Sequence, residues 1–130
     1  MAKAAYLSQD WLDLHLAHAE GLPERQGATA RLQHVVTGTP AGEVRYAQAV
    51  VDGRLRALTL GDDPDADLTL IQTYADARQV AEGSVAPHVA FMQGRLKVVG
   101  SMRTVMALMP LLESDEYKAT VAEVARNTEF

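Results

Sequence analysis

The chain has 130 residues, 48% of them apolar and 22% charged, with a formal net charge of −5 and no cysteine. This length and balance specify one ordinary globular domain over residues 1–130. The acidic surplus excludes nucleic acid as a main partner, and the missing thiols exclude disulfides, zinc–thiolate sites and cysteine nucleophiles.

Ser8 is placed to cap a first helix, with Asp10 in its first turn and Leu7 and Leu12 spaced as a hydrophobic staple. Leu7, Trp11 and Leu14 share one face of that helix, which Gly21-Leu22-Pro23 is expected to end. From Arg31 the period becomes two: Leu32, His34 and Val36 alternate with Gln33, Val35 and Thr37. The Gly-Pro-rich stretch 38–42 predicts a turn, and residues 44–51 a second strand. Asp52-Gly53 is a two-residue hairpin signal leading into a third strand, Arg54–Leu60. Three strands joined by short turns predict an antiparallel meander.

An acidic loop, 61–67, precedes a fourth strand, Leu68–Thr73. Residues 75–82 predict a short helix closed by Gly83 in the left-handed conformation. Ser84 is expected to cap the next helix and Gly94 to close it. Residues 96–99 predict a fifth strand. Ser101 then caps a helix that Pro110 should kink or end, because proline has no amide to donate and crowds the carbonyl of Met106. Ser114, Asp115 and Glu116 start a C-terminal helix with Tyr117, Val121 and Val124 on one face. One sheet of about five strands with helices against a face is an α+β layout.

No apolar run approaches the ~20 residues that span a bilayer. Residues 1–11 contain no continuous apolar core of a secretory signal, and the ending Thr128-Glu129-Phe130 is not a peroxisomal signal, so the expected location is cytoplasmic. The acidic balance leaves room for transient membrane contact at most.

Candidate chemistry is sparse. His15 and His18 are three apart on the first helix, a spacing that can share a metal, but no third ligand is signalled. Asp63, Asp65 and Asp67 imitate the start of a calcium loop. The bend position is then Leu68 and the bidentate position Tyr74, neither of which serves, so the run predicts a hydrated turn. Phosphate loops, dinucleotide fingerprints and nucleophile elbows are all missing. His88, Asp76 and Tyr74 can form an acid/base group only if the fold unites them, and His34 stands likewise. Neither a catalytic residue nor a cofactor is implied.

The strongest signal is the segment 83–112, which holds four of the five methionines. Met102, Met106 and Met109 form one helical stripe flanked by Val105, with Leu108, Leu111 and Leu112 on the other side. Such a helix packs in the core, lines a ligand pocket, or forms a homodimer face. An apolar pocket of lipid size has at least ~300 Å³. Left empty and unrelaxed it would cost ~7 kcal/mol, so it must be filled or collapsible.

The segment 83–112, preceded by the strand Asp67-Leu68-Thr69-Leu70-Ile71, resembles the sterol carrier protein 2 (SCP2-like sterol-binding) family; the closest part is 92–102, where the family's last strand carries a similar Gly-Lys-Leu-Lys-Ile-x-Gly stretch. The leading helix and meander match in order. The resemblance implies a mixed, mostly antiparallel five-stranded sheet with helices packed on it and an apolar tunnel between the layers. It implies non-catalytic binding or transfer of sterols, fatty acids, fatty acyl-CoA-like lipids or other apolar molecules. By position it implies a tunnel wall of Leu70, Phe91, Met92, Met102, Val105, Met106 and Met109.

Overall fold

The computed structural model describes residues 3–130. The elements in chain order are β1 (Ala4–Ala5), α1 (Gln9–His18), β2 (Ala30–Thr39), β3 (Gly42–Val51), β4 (Arg54–Leu60) and β5 (Leu68–Thr73). They continue with α2 (Tyr74–Glu82), α3 (Pro87–Met92), β6 (Lys97–Gly100), α4 (Met102–Leu112), α5 (Asp115–Arg126) and β7 (Thr128–Glu129). The main sheet has five strands in the order β4-β3-β2-β5-β6. β2, β3 and β4 form the expected meander, β5 runs parallel to β2, and β6 is antiparallel to β5. This is the mixed, mostly antiparallel α+β architecture.

The hairpin β3–β4 turns where Asp52 and Gly53 both take positive φ, 49° and 81°. That is the signature of the primed turn whose twist suits paired strands. The chain then crosses to the other side of β2 through the acidic loop, and Arg31 and Gln33 hold it there. Arg31 grips both carboxylate oxygens of Asp63, at 2.8 and 2.9 Å. Gln33 donates to the Gly61 carbonyl and accepts from the Asp63 amide at 2.6 Å. The loop is a clamped crossover: the carboxylates of Asp63 and Asp67 serve Arg31, and that of Asp62 pairs with Arg45. Among the described residues no group of three or more His, Asp or Glu is placed to hold a metal ion.

One face of the sheet presents Leu32, His34, Tyr46, Val50, Leu58, Leu68, Leu70 and Val98 toward the helices. In register, Leu60, Tyr46, His34, Leu70 and Val98 form one row across all five strands, and Leu58, Gln48, Leu32, Leu68 and Gly100 the next equivalent row. The core joins this face to Leu12 and Trp11 of α1, Ala77 of α2, Val105, Leu108 and Leu111 of α4, and Val124 of α5. Leu12 and Leu111 are the largest side chains wholly shut from solvent.

Side-chain caps start three helices, as expected at Ser8 and Ser114 and additionally at Thr73. Ser8, Thr73 and Ser114 accept from the amides of Trp11, Asp76 and Tyr117. Gly83 closes α2 with φ 84°. Four expectations need correction. α1 stops at His18, before Gly21. Ser84 caps nothing: α3 begins at Pro87, with Ala86 extended before it, because a residue preceding proline is barred from the helical region. Ser101 stands at the start of α4 without a side-chain cap bond, and α4 continues past Pro110 to Leu112. β1 and β7 form a small parallel pair that ties the two chain ends together, an element too short to show a period.

Candidate functional site

Between the sheet and its helical cover lies a cavity of about 140 Å³. Its floor is the inner face of the sheet. Its walls come from α1, α2, α3, α4 and α5, with Trp11, Ala77, Phe91, Leu108 and Tyr117 as examples from each. An apolar void of that size carries a penalty of about 3 kcal/mol if nothing fills it.

Four elements of the fold, α1, β2, β3 and α5, contribute a polar and aromatic band to the cavity wall. His34 on β2 stacks on Tyr46 of β3, with ring centroids 4.3 Å apart and planes 7° apart. Its Nε2–H donates to Oε1 of Gln48, also on β3, at 2.7 Å. With that nitrogen occupied as donor, Nδ1 of a neutral ring is an acceptor. Tyr46 meets Trp11 of α1 edge-on at 6.0 Å, Trp11 meets His15 edge-on at 5.9 Å, and His15 faces Tyr117 of α5 at 6.5 Å. Burial pushes the His34 pKa down to about 4, against the partial support of the Gln48 bond. Burial also lowers that of His15, raises Tyr46 well above the usual phenol range, and raises Tyr117 to about 12. Near neutral pH all four are uncharged.

Several polar atoms on this wall are sealed from solvent without a hydrogen-bond partner: Nε1 of Trp11, Nδ1 of His15, Nε2 of Gln72 and Nδ1 of His88. His88 therefore has no carboxylate orienting its ring through Nδ1, and it forms no acid/base group with Asp76. His15 turns into the cavity against Trp11 and Tyr117, which separates it in role from His18, a residue off the wall.

Of the residues expected on the wall, Leu70, Phe91, Val105 and Met109 line the cavity. Met92, Met102 and Met106 do not; they are 79%, 55% and 60% exposed. The reason is helical phase. Val105, Leu108 and Leu112 set the inward direction of α4, and at roughly 100° per residue the methionine stripe lies at the margin of that face. Met109 falls on the inner side of the margin and Met106 on the outer. Met92 follows Phe91 at the end of α3, so an inward Phe91 turns it out. The helix is thus apolar apart from Arg103 and Thr104 yet only half buried.

Sequence reasoning missed the polar band. A signal was present, since His34 shares its alternation with Leu32, and Tyr46 with Gln48 and Val50. Nothing local says that these faces meet Trp11 and His15 across the core.

The sequence matches the SCP-2 sterol transfer family over residues 12–113. No curated protein matches the chain significantly. Among solved structures, the fold is similar to a conserved hypothetical protein of Thermus thermophilus, described as possibly a sterol carrier protein, with TM-score 0.74 and 19% identity, covering 95% of this chain and 94% of that one. It is also similar to a crystal structure of sterol carrier protein 2, with TM-score 0.68, 20% identity and coverage of 95% and 99%. A third is the palmitated SCP2L2 of Aedes aegypti in solution, with TM-score 0.61, 13% identity and coverage of 82% and 91%.

Proposed function

This chain belongs to the SCP-2 sterol transfer family, and from that footing we propose that it binds an apolar ligand in the cavity between sheet and helices and passes it on without catalysis. The observation that carries the reading is the cavity itself: a hollow walled by Leu70, Phe91, Val105, Leu108 and Met109 in a domain small enough that empty space is costly. Burial of alkyl surface at ~25 cal/mol per Å² drives binding. The volume of about 140 Å³ is below the ~300 Å³ of a typical small-molecule site, so a sterol or long acyl chain enters by displacing the cover. α4 suits that role. It lacks a side-chain cap at Ser101 and contains Pro110, which removes one internal hydrogen bond. The expected residence is cytoplasmic.

The test is native mass spectrometry and lipid extraction of the purified protein, with titration of a fluorescent fatty acid into the delipidated form. A co-purifying apolar molecule and saturable binding are expected. Neither a retained ligand nor saturable uptake would overturn the reading.

The outward methionines favour transient contact of this same carrier with an anionic bilayer. Met102 and Met106 lie one turn apart with Arg103 between them, and residues 83–112 contain Arg95, Lys97 and Arg103 but no Asp or Glu. Apolar side chains among cations complement an anionic lipid surface. Salt-sensitive flotation with phosphatidylglycerol vesicles, lost in Met102→Ser/Met106→Ser, is the expected result. Absence of flotation, or a sedimenting dimer that Met106→Asp dissociates, would assign the face elsewhere.

A further inference from the structure

We propose that the cavity carries an acid-sensitive release device: protonation of its wall histidines favours an opened helical cover and lets the apolar ligand go. The inference rests on the carrier reading and names the regulation of that same site. Three of the chain's four histidines line the hollow: His15 on α1, His34 on β2 and His88 on α3.

None of them meets an opposite charge there. His34 is covered by Tyr46 of β3, which stacks on it, and it holds Gln48 of the same strand through Nε2. Its partner on β5 is Leu70. His15 meets Trp11 of its own helix and Tyr117 of α5. A charge on His15 would oppose one on His34, and a charge on His18 would oppose one on His15. The other titratable groups on the wall are the phenols of Tyr6, Tyr46 and Tyr117, which burial raises and so keeps neutral. α2, α4 and β6 present apolar side chains to the hollow, and among the described residues no Asp, Glu, Lys or Arg lines it.

An imidazolium formed in the shut cavity therefore finds no carboxylate. Nε2 of His34 is committed to Gln48, so a second proton has to enter at Nδ1. Nδ1 of His15 and of His88 is sealed from solvent without a partner, so a cation on either ring would carry an orphaned N–H. A buried, unpaired charge is costly, and water reached by moving the cover relieves it. Proton and lipid thus compete. The ligand needs a dry, neutral wall, whereas the imidazolium needs a wet one.

The window follows from linkage. In the shut form burial holds His34 down to about 4 and lowers His15. In the open form the imidazoles meet water and return toward their ordinary value of about 6.5. Between these limits the open form binds protons that the shut form does not, so opening is favoured as pH falls. At about pH 5, His34 alone shifts the balance toward the open form by about thirtyfold relative to neutral pH. His15 acts in the same direction.

The test loads the protein with a pyrene-labelled fatty alcohol, which does not titrate, and mixes it with acceptor vesicles of phosphatidylcholine. Transfer is timed between about pH 7.5 and about pH 4, with near-UV circular dichroism recorded alongside. Release is expected to be about thirtyfold faster at about pH 5, with the dichroism still native. His34→Phe keeps a ring on Tyr46 and should cut the acceleration severalfold, while His18→Gln, off the wall, should leave it whole. Should His34→Phe fold poorly, the wild-type profile decides, since acceleration that sets in near about pH 6.5 marks imidazoles and one that sets in below about pH 4.5 marks carboxylates.

Equal rates at both pH values, onset in the carboxylate range, full acceleration in a folded His34→Phe, or release that coincides with loss of the native dichroism would overturn the acid device and leave the carrier reading intact. Failure to take up the alcohol at about pH 7.5, together with failure of the fluorescent fatty acid, would overturn the carrier reading itself.

Discussion

His34 and Tyr46 are direct cross-strand partners whose rings lie parallel, 4.3 Å between centroids, on the floor of the cavity. A stacked pair of this kind holds the imidazole flat in a half-buried position on the cavity floor. The consequence is a histidine that resists protonation in the folded state and accepts it readily once unfolded.

Stability should therefore fall as the solution is acidified through the histidine range. The folded pKa of His34 is about 4 against an ordinary 6.5, so between these values the unfolded chain binds the proton and the folded one does not. The unfolded state holds more protons there, which makes stability rise with pH across that window and level off above it. By about pH 5 the loss from this residue reaches about 2 kcal/mol, before most carboxylates titrate. Urea unfolding at about pH 7 and about pH 5 measures it. His34→Phe should flatten the slope; an unchanged slope would mean that other groups dominate.

Gly100 should not tolerate a side chain. It stands opposite Leu68 in the β5–β6 pairing with φ 139°. An added Cβ would lie 2.6 Å from Leu68 Cδ2 and 2.7 Å from the Asp67 carbonyl oxygen, and the latter is backbone that cannot step aside. Gly100→Ala therefore combines a strained φ with a steric clash and should lower stability by about 2 kcal/mol or more. The urea midpoint should drop with little change in slope. A neutral substitution would show that β6 can shift away from β5.

The two faces of α4 should respond oppositely to truncation. Leu111 is 1% exposed and Met106 is 60% exposed. Leu111→Ala should cost about 2–5 kcal/mol, whereas Met106→Ser should stay within about 0.5 kcal/mol. Parallel denaturant titrations decide it. A large loss at Met106 would mean that its side chain packs inward in solution.

The β-layer was legible because its punctuation is local. Asp52-Gly53 forces a hairpin, and β4 and β5 run over the residues expected, Arg54–Leu60 and Leu68–Thr73. Side-chain caps likewise read correctly at Ser8 and Ser114, where the oxygen is followed by an acidic first turn. The caps expected at Ser84 and Ser101 failed locally, since neither side chain bonds a helix amide; the features missed altogether depend on a distant surface. The phase of α4 is not fixed within α4, since Arg103 and Thr104 are its only polar side chains; the sheet beneath selects Val105 and Leu108 over Met106 as the inner side. The band of His15, His34, Tyr46 and Tyr117 joins residues as distant in sequence as His15 and Tyr117, and no spacing rule reaches that far. The β1–β7 pair is two residues on each strand and shows no period at all.

Filling the hollow from the sheet side should separate stability from ligand uptake. Val98 and Leu70 are cross-strand partners on β6 and β5, and both line the cavity. Val98→Phe places a ring into space that now has no partner atoms. The lost void recovers dispersion contacts, so the ligand-free protein should keep or gain thermal stability, by about 1 kcal/mol at best because overpacking opposes it. The same ring occupies the ligand's volume. A ligand that binds only the folded state stabilises it by an amount that grows with the logarithm of its concentration, so 1-octanol, taken as an apolar probe, is expected to raise the Tm of the wild type and not that of the variant. Thermal melts with and without octanol make the comparison in one experiment. If Val98→Phe retains the full octanol shift, binding takes place outside the cavity and the sheet-facing wall has no part in it.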